Sequence, residues 1–193
     1  MQNRIRKALG KFQPGISIRH SYHATFPWPK NLFFLKRCFI EQQYHMSSGK
    51  ELVIVNLHNS TFDENGKLRM AELKQLKEFI DSEWSKMNYI VIGGDWNMNP
   101  RGFLASGITT GDIVQEITPG FDLSFLPGWQ FAFDPARPTN RNVDKPYVKG
   151  KTKTTIIDFF VVSPNITVLS VQTLSTGFMY SDHQPVRMKI RLN

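Results

Sequence analysis

Cysteine is almost absent from this sequence, since Cys38 is the single one among 193 residues. An intramolecular disulfide is therefore excluded, and the sequence has no cluster of cysteines and histidines that would hold a structural zinc ion. No apolar run approaches the length of a transmembrane helix, and the opening residues MQNRIRKALGKFQPG lack the apolar core of a signal peptide. A lone cysteine is compatible with a reducing compartment without excluding export, so the sequence assigns no localisation.

Acidic residues are also in short supply, with 16 Asp and Glu against 24 Lys and Arg and a net charge of +8. This balance favours acidic partners such as nucleic acid, phosphorylated small molecules or an anionic membrane surface, although many basic proteins bind none of them. The chain contains neither a P-loop nor a nucleophile elbow. Any catalytic chemistry must therefore come from other residues.

The predicted elements indicate one mixed α/β domain over residues 1–193, a length that suits a single domain with a sizeable core. Apolar residues recur at steps of three and four between Leu68 and about Lys86, which predicts a helix there. Region 100–153 looks irregular, and strands are predicted at 32–46, 51–60, 89–97, 154–163, 166–175 and 186–192. Several strands are apolar on both faces, so we expect an α/β fold in which a β-sandwich is flanked by helices.

Polar side chains interrupt or directly follow apolar strands at four places, namely NLH (Asn56, His58), GGDWN (Asp95, Asn97), IIDFF (Asp158) and SDH (Asp182, His183). Residues two apart on a strand point to the same side, so Asp95 and Asn97 are expected to share one face, as are Asn56 and His58. A carboxylate beside a carboxamide can orient an attacking water and hold a phosphate oxygen. The alternative is an Asx turn that caps the strand, and this motif alone favours neither interpretation.

Asp158 lies in a strand that is apolar on both sides, where an unpaired carboxylate is costly. A histidine would be a suitable partner, because the carboxylate would fix the tautomer of the ring and stabilise its charged form. A salt bridge to Lys or Arg is the alternative. In SDH, His183 would act as a general base or stabilise charge in the transition state, and Asp182 would bind a metal ion.

Together and in this order, the four motifs resemble those of the endonuclease/exonuclease/phosphatase superfamily, which includes pancreatic deoxyribonuclease, abasic-site endonucleases, sphingomyelinases and inositol-phosphate phosphatases. NLHNS is similar to the N-x-H strand end of that family, GGDWN to its G-D-x-N motif, IIDFF to its I-D-x-x strand and SDHQPV to its closing S-D-H-x-P motif. The resemblance runs from about Leu32 to the C-terminus and does not include residues 1–31. It implies a metal-dependent phosphoester hydrolase of the phosphodiesterase, nuclease or phosphatase type.

The resemblance also implies a role for each site residue. His58 would contact the scissile phosphate and assist the leaving group, Asp95 would orient or deprotonate the attacking water, and Asn97 would hold the phosphate. Asp158 would pair with His183, which would be the catalytic histidine.

Asp182 matches a metal-site aspartate of the family, whose metal is usually Mg²⁺ and sometimes Mn²⁺. Both are hard cations that prefer oxygen ligands. More loosely, Thr139, Asn140 and Arg141 would lie at the substrate face, where the arginine would bind a phosphate. The substrate stays open between nucleic acid and other phosphoesters.

The chain departs from the family pattern in its first part. The family begins with a strand that carries an asparagine, followed by a helix and a strand that ends in a metal-binding glutamate. Neither motif precedes His58, because Asn3 lacks a preceding apolar strand and Glu41 falls on the later hairpin. We therefore expect the C-terminal part of the domain, without its N-terminal strands and helix, and association with another chain through an exposed sheet edge.

Two other functions stay open at this point. A non-catalytic or truncated family module would bind phosphate-containing ligands or a partner chain, in keeping with the absent glutamate. A basic nucleic-acid-binding domain unrelated to hydrolysis would use Trp28, Trp96 and Trp129 for base stacking.

Overall fold

The computed structural model describes residues 17–33, 35–61, 63, 66–117 and 125–193. In chain order its strands are β1 (Ser17–Ser21), β2 (Cys38–His45), β3 (Glu51–His58), β4 (Tyr89–Asp95), β5 (Ile113–Val114), β6 (Gln130–Ala132), β7 (Asn140–Arg141), β8 (Lys153–Thr155), β9 (Asp158–Val162), β10 (Ile166–Thr173) and β11 (Val186–Leu192). The helix α1 spans Lys67–Ser85, and short 3₁₀ helices span Lys30–Leu32 and Ala105–Gly107.

A six-stranded sheet with the strand order β1-β2-β3-β4-β9-β6 forms the centre of the fold. β2 and β3 form the predicted antiparallel hairpin, whereas β3 and β4 pair in parallel. Parallel neighbours need a crossover connection, which α1 supplies. β9 pairs antiparallel with both β4 and β6. The carboxyl ends of β3 and β4 therefore meet the amino end of β9 at one edge of the sheet.

The helix α1 covers one face of this sheet, and its bounds agree with the predicted helix to within one residue at each end. Its apolar side chains Leu73, Leu76 and Ile80 are at most 3% exposed. They belong to one buried cluster with inward-facing strand residues such as Val55 and Ile92. Burial of a side chain of this size contributes about 1.5–3 kcal/mol, so this interface anchors the strand ends that α1 connects.

The hairpin of β10 and β11 packs against part of the opposite face. Val91 and Val162 are buried beneath it, whereas Ile40 on the same face is 44% exposed. A cavity of about 490 Å³ separates the sheet residues Ile54 and Phe160 from the start of β11. The hairpin therefore covers this second face of the sheet only up to the cavity. The predicted mixed α/β fold is confirmed, with a single α-helix in the described ranges.

Four features differ between the sequence predictions and the structure. The strand predicted at 32–46 begins only at Cys38, after the 3₁₀ helix Lys30–Leu32. β1 was not predicted, because SIRHS has no run of apolar residues and only one of its five positions is partly buried. The predicted strand at 154–163 is two strands, β8 and β9, in different sheets. The region predicted to be irregular holds the short strands β5, β6 and β7, of which β5 and β7 pair with β8. Across the described ranges, no helix is long and apolar enough to cross a membrane.

Candidate active site

Three of the predicted site residues lie side by side where the central strands meet. The strand register pairs His58 of β3 with Asp95 of β4, and Asp95 with Asp158 of β9. Because neighbours in register point to the same side of a sheet, these three side chains form one row. The parallel pairing of β3 and β4 and the antiparallel entry of β9 are what place the three motifs together.

His183 joins this row from the turn before β11. Its Nδ1 lies 2.8 Å from Oδ2 of Asp158, and its Nε2 lies 3.8 Å from Oδ2 of Asp95. The backbone N–H of His183 donates to Oγ of Ser181 at 3.0 Å, which holds the turn. The predicted pairing of Asp158 with a histidine is therefore present, rather than a salt bridge to Lys or Arg.

Asn140 contacts the other side of the same imidazole. Its Nδ2 lies 2.9 Å from Nε2 of His183 and donates to the backbone carbonyl of Asp182 at 3.3 Å. Asn140 and His183 also form a backbone bridge between the two segments. With Asp158 at Nδ1 and Asn140 at Nε2, both ring nitrogens of His183 have a partner, so the orientation of the ring is fixed.

Asp95 and Asn97 adopt the Asx turn that was the alternative interpretation of GGDWN. The backbone N–H of Asn97 donates to Oδ1 of Asp95 at 2.9 Å, and Asn97 has a positive φ of 52°. The side-chain amide of Asn97 donates to the carbonyl of Asn59 at 2.9 Å. The strand has thus ended at Asp95, and the turn, rather than strand alternation, brings Asn97 to the same pocket as Asp95.

Trp96 anchors this turn in the core. It is fully buried, its backbone N–H donates to Ile157 at 2.9 Å and its indole N–H donates to the carbonyl of Phe159 at 3.1 Å. Its ring stacks on Phe159 with centroids 5.1 Å apart. Trp129 is buried as well. Neither tryptophan is available to stack on a base, so the structure contradicts that use of these two residues.

His58 lies on the open side of the row. Its Nε2 is 3.3 Å from Oδ2 of Asp95, and half of its side chain is exposed. Burial lowers the pKa of His58, and the positive charge of Arg37 lowers it further. His58 therefore loses its proton more readily than an ordinary histidine, and it is accessible to a ligand.

The two other titrating groups of the row have pKa values shifted upwards. Burial raises the pKa of Asp95 to about 6, and the negative charge of Asp158 adds to the increase. For His183, burial lowers the pKa, but the hydrogen bond and charge of Asp158 outweigh it and the net shift is upwards. An acid with a raised pKa beside an imidazole whose pKa is also raised is typical of sites for proton transfer.

Asp95, Asp158 and His183 each place one ligand atom within 4.8 Å of those of the other two, which makes them a candidate metal group. Two carboxylates and an imidazole suit a divalent cation, and a cation would relieve the repulsion from Asp158 that adds to the effect of burial on the pKa of Asp95. Asp182, the residue predicted to bind metal, lines the same pocket but does not belong to this group.

The pocket above the row has a volume of about 560 Å³, within the usual range for ligand sites. Arg141 lines it as predicted, with Nη1 donating to the carbonyl of Asn142 at 2.9 Å. Thr139 is buried, and its hydroxyl accepts the backbone N–H groups of Ile157 and Asp158 at 3.0 Å. Thr139 therefore shapes the start of β9, whereas Arg141 faces the ligand space.

Two cations in this pocket were missed by the sequence analysis. Arg37 precedes β2, next to the end of β3 that carries His58, and Lys153 begins β8. Each lies among other basic residues and outside any motif, so the sequence does not distinguish it from its neighbours. The strand order is what brings both side chains to the site. Asn56 shares a sheet face with His58 as predicted and lines the cavity beside Ile54, which Asp158 and His183 also line.

Searches for relatives give matches in structure alone. No protein-family model and no curated protein matches the chain. Among solved structures, zebrafish (D. rerio) TDP2 complexed with single-strand DNA product has a TM-score of 0.64 and 13% identity, over 95% of this chain and 70% of that one. The human Nocturnin catalytic domain with bound sulfate has a TM-score of 0.61 and 17% identity, over 95% and 61%.

A third similar structure is an endonuclease/exonuclease/phosphatase from Bacteroides vulgatus, with a TM-score of 0.64 and 16% identity over 95% of this chain and 67% of that one. The chain thus spans 61 to 70% of the length of these three proteins. Identities this low establish the architecture rather than the activity. The chain has the fold of the endonuclease/exonuclease/phosphatase superfamily.

Proposed function

We propose that this chain hydrolyses phosphoesters with the help of a divalent metal ion. The observation that carries the proposal is the row of His58, Asp95, Asp158 and His183, in which a largely buried carboxylate lies beside an imidazole held by a second carboxylate. Hydrolysis needs an oriented water, a group that accepts its proton and positive charge near the phosphoryl oxygens. The row contains a side chain for each of these tasks.

Asp95 would orient the attacking water and accept its proton, because its carboxylate lies in the row beside both histidines. Asn97 would hold a phosphoryl oxygen. His58 would contact the phosphate near the leaving group. His183 in its charged form would donate one hydrogen bond, from Nε2, to a phosphoryl oxygen, in place of the hydrogen bond that Nε2 accepts from Asn140 in the neutral ring. Asp158 would keep the His183 ring in one tautomer and stabilise its cationic form.

Mg²⁺ or Mn²⁺ fits the carboxylates of this site. Asp95 and Asp158 lie within reach of a common ion, and Asp182 offers a further carboxylate in the same pocket. A phosphate would be repelled by so many carboxylates unless positive charge offsets them. The bound cation would supply that charge and neutralise the phosphoryl oxygens.

Nucleic acid is the substrate that the surrounding charges favour. Arg37, Arg141 and Lys153 line the pocket, and a strand with phosphates on both sides of the reacting one would engage them together. Zebrafish TDP2, one of the similar structures, was solved with a single-strand DNA product.

The test is hydrolysis of bis(p-nitrophenyl) phosphate and plasmid DNA by this chain, with Mg²⁺ or Mn²⁺ and with EDTA. We expect metal-dependent turnover that His183→Ala lowers about 100-fold or more. His45→Ala is the matched control, because His45 is 73% exposed at the other end of β2. Folded wild-type protein with no turnover above the His183→Ala background would contradict the proposal.

A non-catalytic module is the second candidate, and the uncovered face of the sheet favours it. In the described part of the chain, β10 and β11 pair only with each other, and the cavity beside Ile54 and Phe160 is open. The unpaired edges of this hairpin can accept a further strand, so a partner chain would bind along β10 or β11. Binding of phosphate ligands without turnover, together with self-association in light scattering, would support this candidate over the hydrolase.

A further inference from the structure

The segment between β1 and β2 carries large apolar side chains that face solvent. Trp28, Leu32, Phe33 and Leu35 are 76%, 68%, 81% and 78% exposed, and we call these four residues the apolar loop patch. Single exposed apolar side chains are common on proteins, whereas clustered ones are typical of interaction sites. The hydrolase mechanism uses none of them.

The backbone that carries the patch is folded rather than extended. The N–H of Leu32 donates to the carbonyl of Pro29 at 3.0 Å, and that of Phe33 donates to Lys30 at 3.0 Å, around the 3₁₀ helix Lys30–Leu32. Trp28, Leu32 and Phe33 are therefore presented on a turn with its own hydrogen bonds. A surface that binds them need not order the chain first.

The part of the sequence that contains the patch is rich in positive charge. Residues 1–40 contain eight Lys and Arg and no Asp or Glu, while the rest of the chain has 16 of each sign, so the whole net charge of +8 belongs to this part of the sequence. Lys30 and Lys36 are exposed. Neither forms an ion pair with an acidic group in the described ranges, unlike Lys77 with Asp81.

We infer that the apolar loop patch docks the protein on an anionic phospholipid surface, with Trp28, Leu32, Phe33 and Leu35 entering the interface and Lys30 and Lys36 contacting the headgroups. Tryptophan, phenylalanine and leucine beside lysine are the side chains that bind such interfaces. Single-stranded nucleic acid fits less well, because Leu32 and Leu35 have no ring on which a base would stack. This inference is independent of the proposed hydrolysis.

The docked surface would lie next to the candidate active site. Arg37 follows Lys36 directly and lines both the pocket of the catalytic row and a smaller cavity under the loop, where Leu35 is also found. Docking would therefore bring headgroup phosphates towards the mouth of the pocket.

The test is co-sedimentation of the full chain with vesicles of phosphatidylcholine alone and of phosphatidylcholine with phosphatidylserine, at low and high NaCl. We expect the protein to bind the anionic vesicles and the binding to weaken at high salt, because salt screens the attraction between the lysines and the anionic headgroups. Lys30→Gln with Lys36→Gln should lower partitioning about 30-fold, and Leu35→Ser about 10-fold. Leu104→Ser is the matched control, since Leu104 is 67% exposed elsewhere on the surface.

Fluorescence locates the contact. Trp28 is 76% exposed and Trp96 and Trp129 are buried, so a blue shift on adding anionic vesicles should disappear in Trp28→Phe while sedimentation persists. Absence of binding to anionic vesicles overturns the inference. So does a result in which the loop variants leave vesicle binding unchanged but abolish self-association or binding of single-stranded DNA, because the patch would then serve a protein or nucleic-acid partner.

Discussion

Asp158 begins β9 and His183 lies in the turn before β11, and Oδ2 of the aspartate is 2.8 Å from Nδ1 of the histidine. The contact links the amino end of β9 to the turn before β11. It therefore holds His183 beside the row of strand residues and fixes the orientation of its imidazole. The carboxylate accepts the Nδ1 proton, which leaves Nε2 directed towards Asp95 and Asn140. Every hydrolytic role assigned to His183 depends on this arrangement.

Asp158→Asn should lower kcat of the proposed hydrolysis about 100-fold or more while leaving the fold intact. The amide has no charge to stabilise an imidazolium, so the pKa of His183, which Asp158 raises in the wild type, should fall. NMR titration of His183 in metal-free protein measures this directly. Asp81→Asn is the control, because Asp81 is an exposed helix residue paired with Lys77. An unchanged titration of His183 would contradict the role given to Asp158.

Asp95→Asn should stabilise the metal-free protein while abolishing activity. Burial raises the pKa of Asp95 from 3.8 to about 6, so the folded state holds the proton more tightly than the unfolded state. Stability therefore falls as pH rises between these two values, and the loss, at most about 3 kcal/mol, persists above pH 6. Asparagine keeps an oxygen for the N–H of Asn97 and carries no charge.

Thermal unfolding in EDTA checks this prediction. The variant should unfold at a higher temperature than the wild type at pH 8, and the difference should disappear near pH 4. Adding Mg²⁺ at pH 8 should raise the Tm of the wild type more than that of the variant, because a ligand that binds the folded state stabilises it. Equal Tm values in EDTA at pH 8 would mean that ionised Asp95 is not costly in the fold.

Much of the candidate site was predictable from short motifs, because the chemistry needs particular residues at strand ends. Asp158 is an example, since a carboxylate in an apolar strand demands a partner and His183 was one of few candidates. The contact of Asn140 with His183 was not derivable in the same way. It depends on β7 crossing beside the turn before β11, and a two-residue strand leaves no periodic signal.

The positions of Asn97 and Arg37 in the site were also not predictable from the sequence, and each has a physical reason. Asn97 was expected to reach the site as the last residue of a strand. Instead, its backbone N–H donates to the side chain of Asp95, and the strand ends two residues earlier, at Asp95. The side chain of Asp95 thus takes the place of a partner strand as hydrogen-bond acceptor. Arg37 reaches the site only because β2 pairs with β3, so its function depends on a contact between distant residues. The helix α1, by contrast, has a long apolar period and was predicted almost to the residue.

Lys153→Gln should weaken DNA binding more than it affects turnover of bis(p-nitrophenyl) phosphate. Lys153 is exposed at the rim of the pocket on β8, where a flanking phosphate would reach it. Loss of one phosphate contact should lower the slope of log affinity against log salt by about one. Fluorescence anisotropy with a labelled oligonucleotide in the His183→Ala background measures that slope without cleavage. Lys77→Gln, on the exposed face of α1, should leave it unchanged.

Gly94→Ala should destabilise the protein far more than an equivalent change at a turn. Gly94 pairs with Leu57 across β3 and β4 and has a positive φ of 141°, and a Cβ atom there would clash with the backbone carbonyl of Leu57. The backbone strands cannot move apart without breaking the ladder that sets His58 beside Asp95. We expect a loss of about 3 kcal/mol or more in the free energy of unfolding.

Gly49→Ala separates the clash from the cost of the backbone conformation alone. Gly49 also has a positive φ, of 80°, but its Cβ would meet nothing within 4 Å, so the change should cost only about 1–2 kcal/mol. Urea denaturation of both variants measures the two losses on the same sheet. Equal losses would mean that β3 and β4 can separate locally at Leu57. The pairing of His58 with Asp95 would then not depend on Gly94. The site would tolerate a side chain at that position.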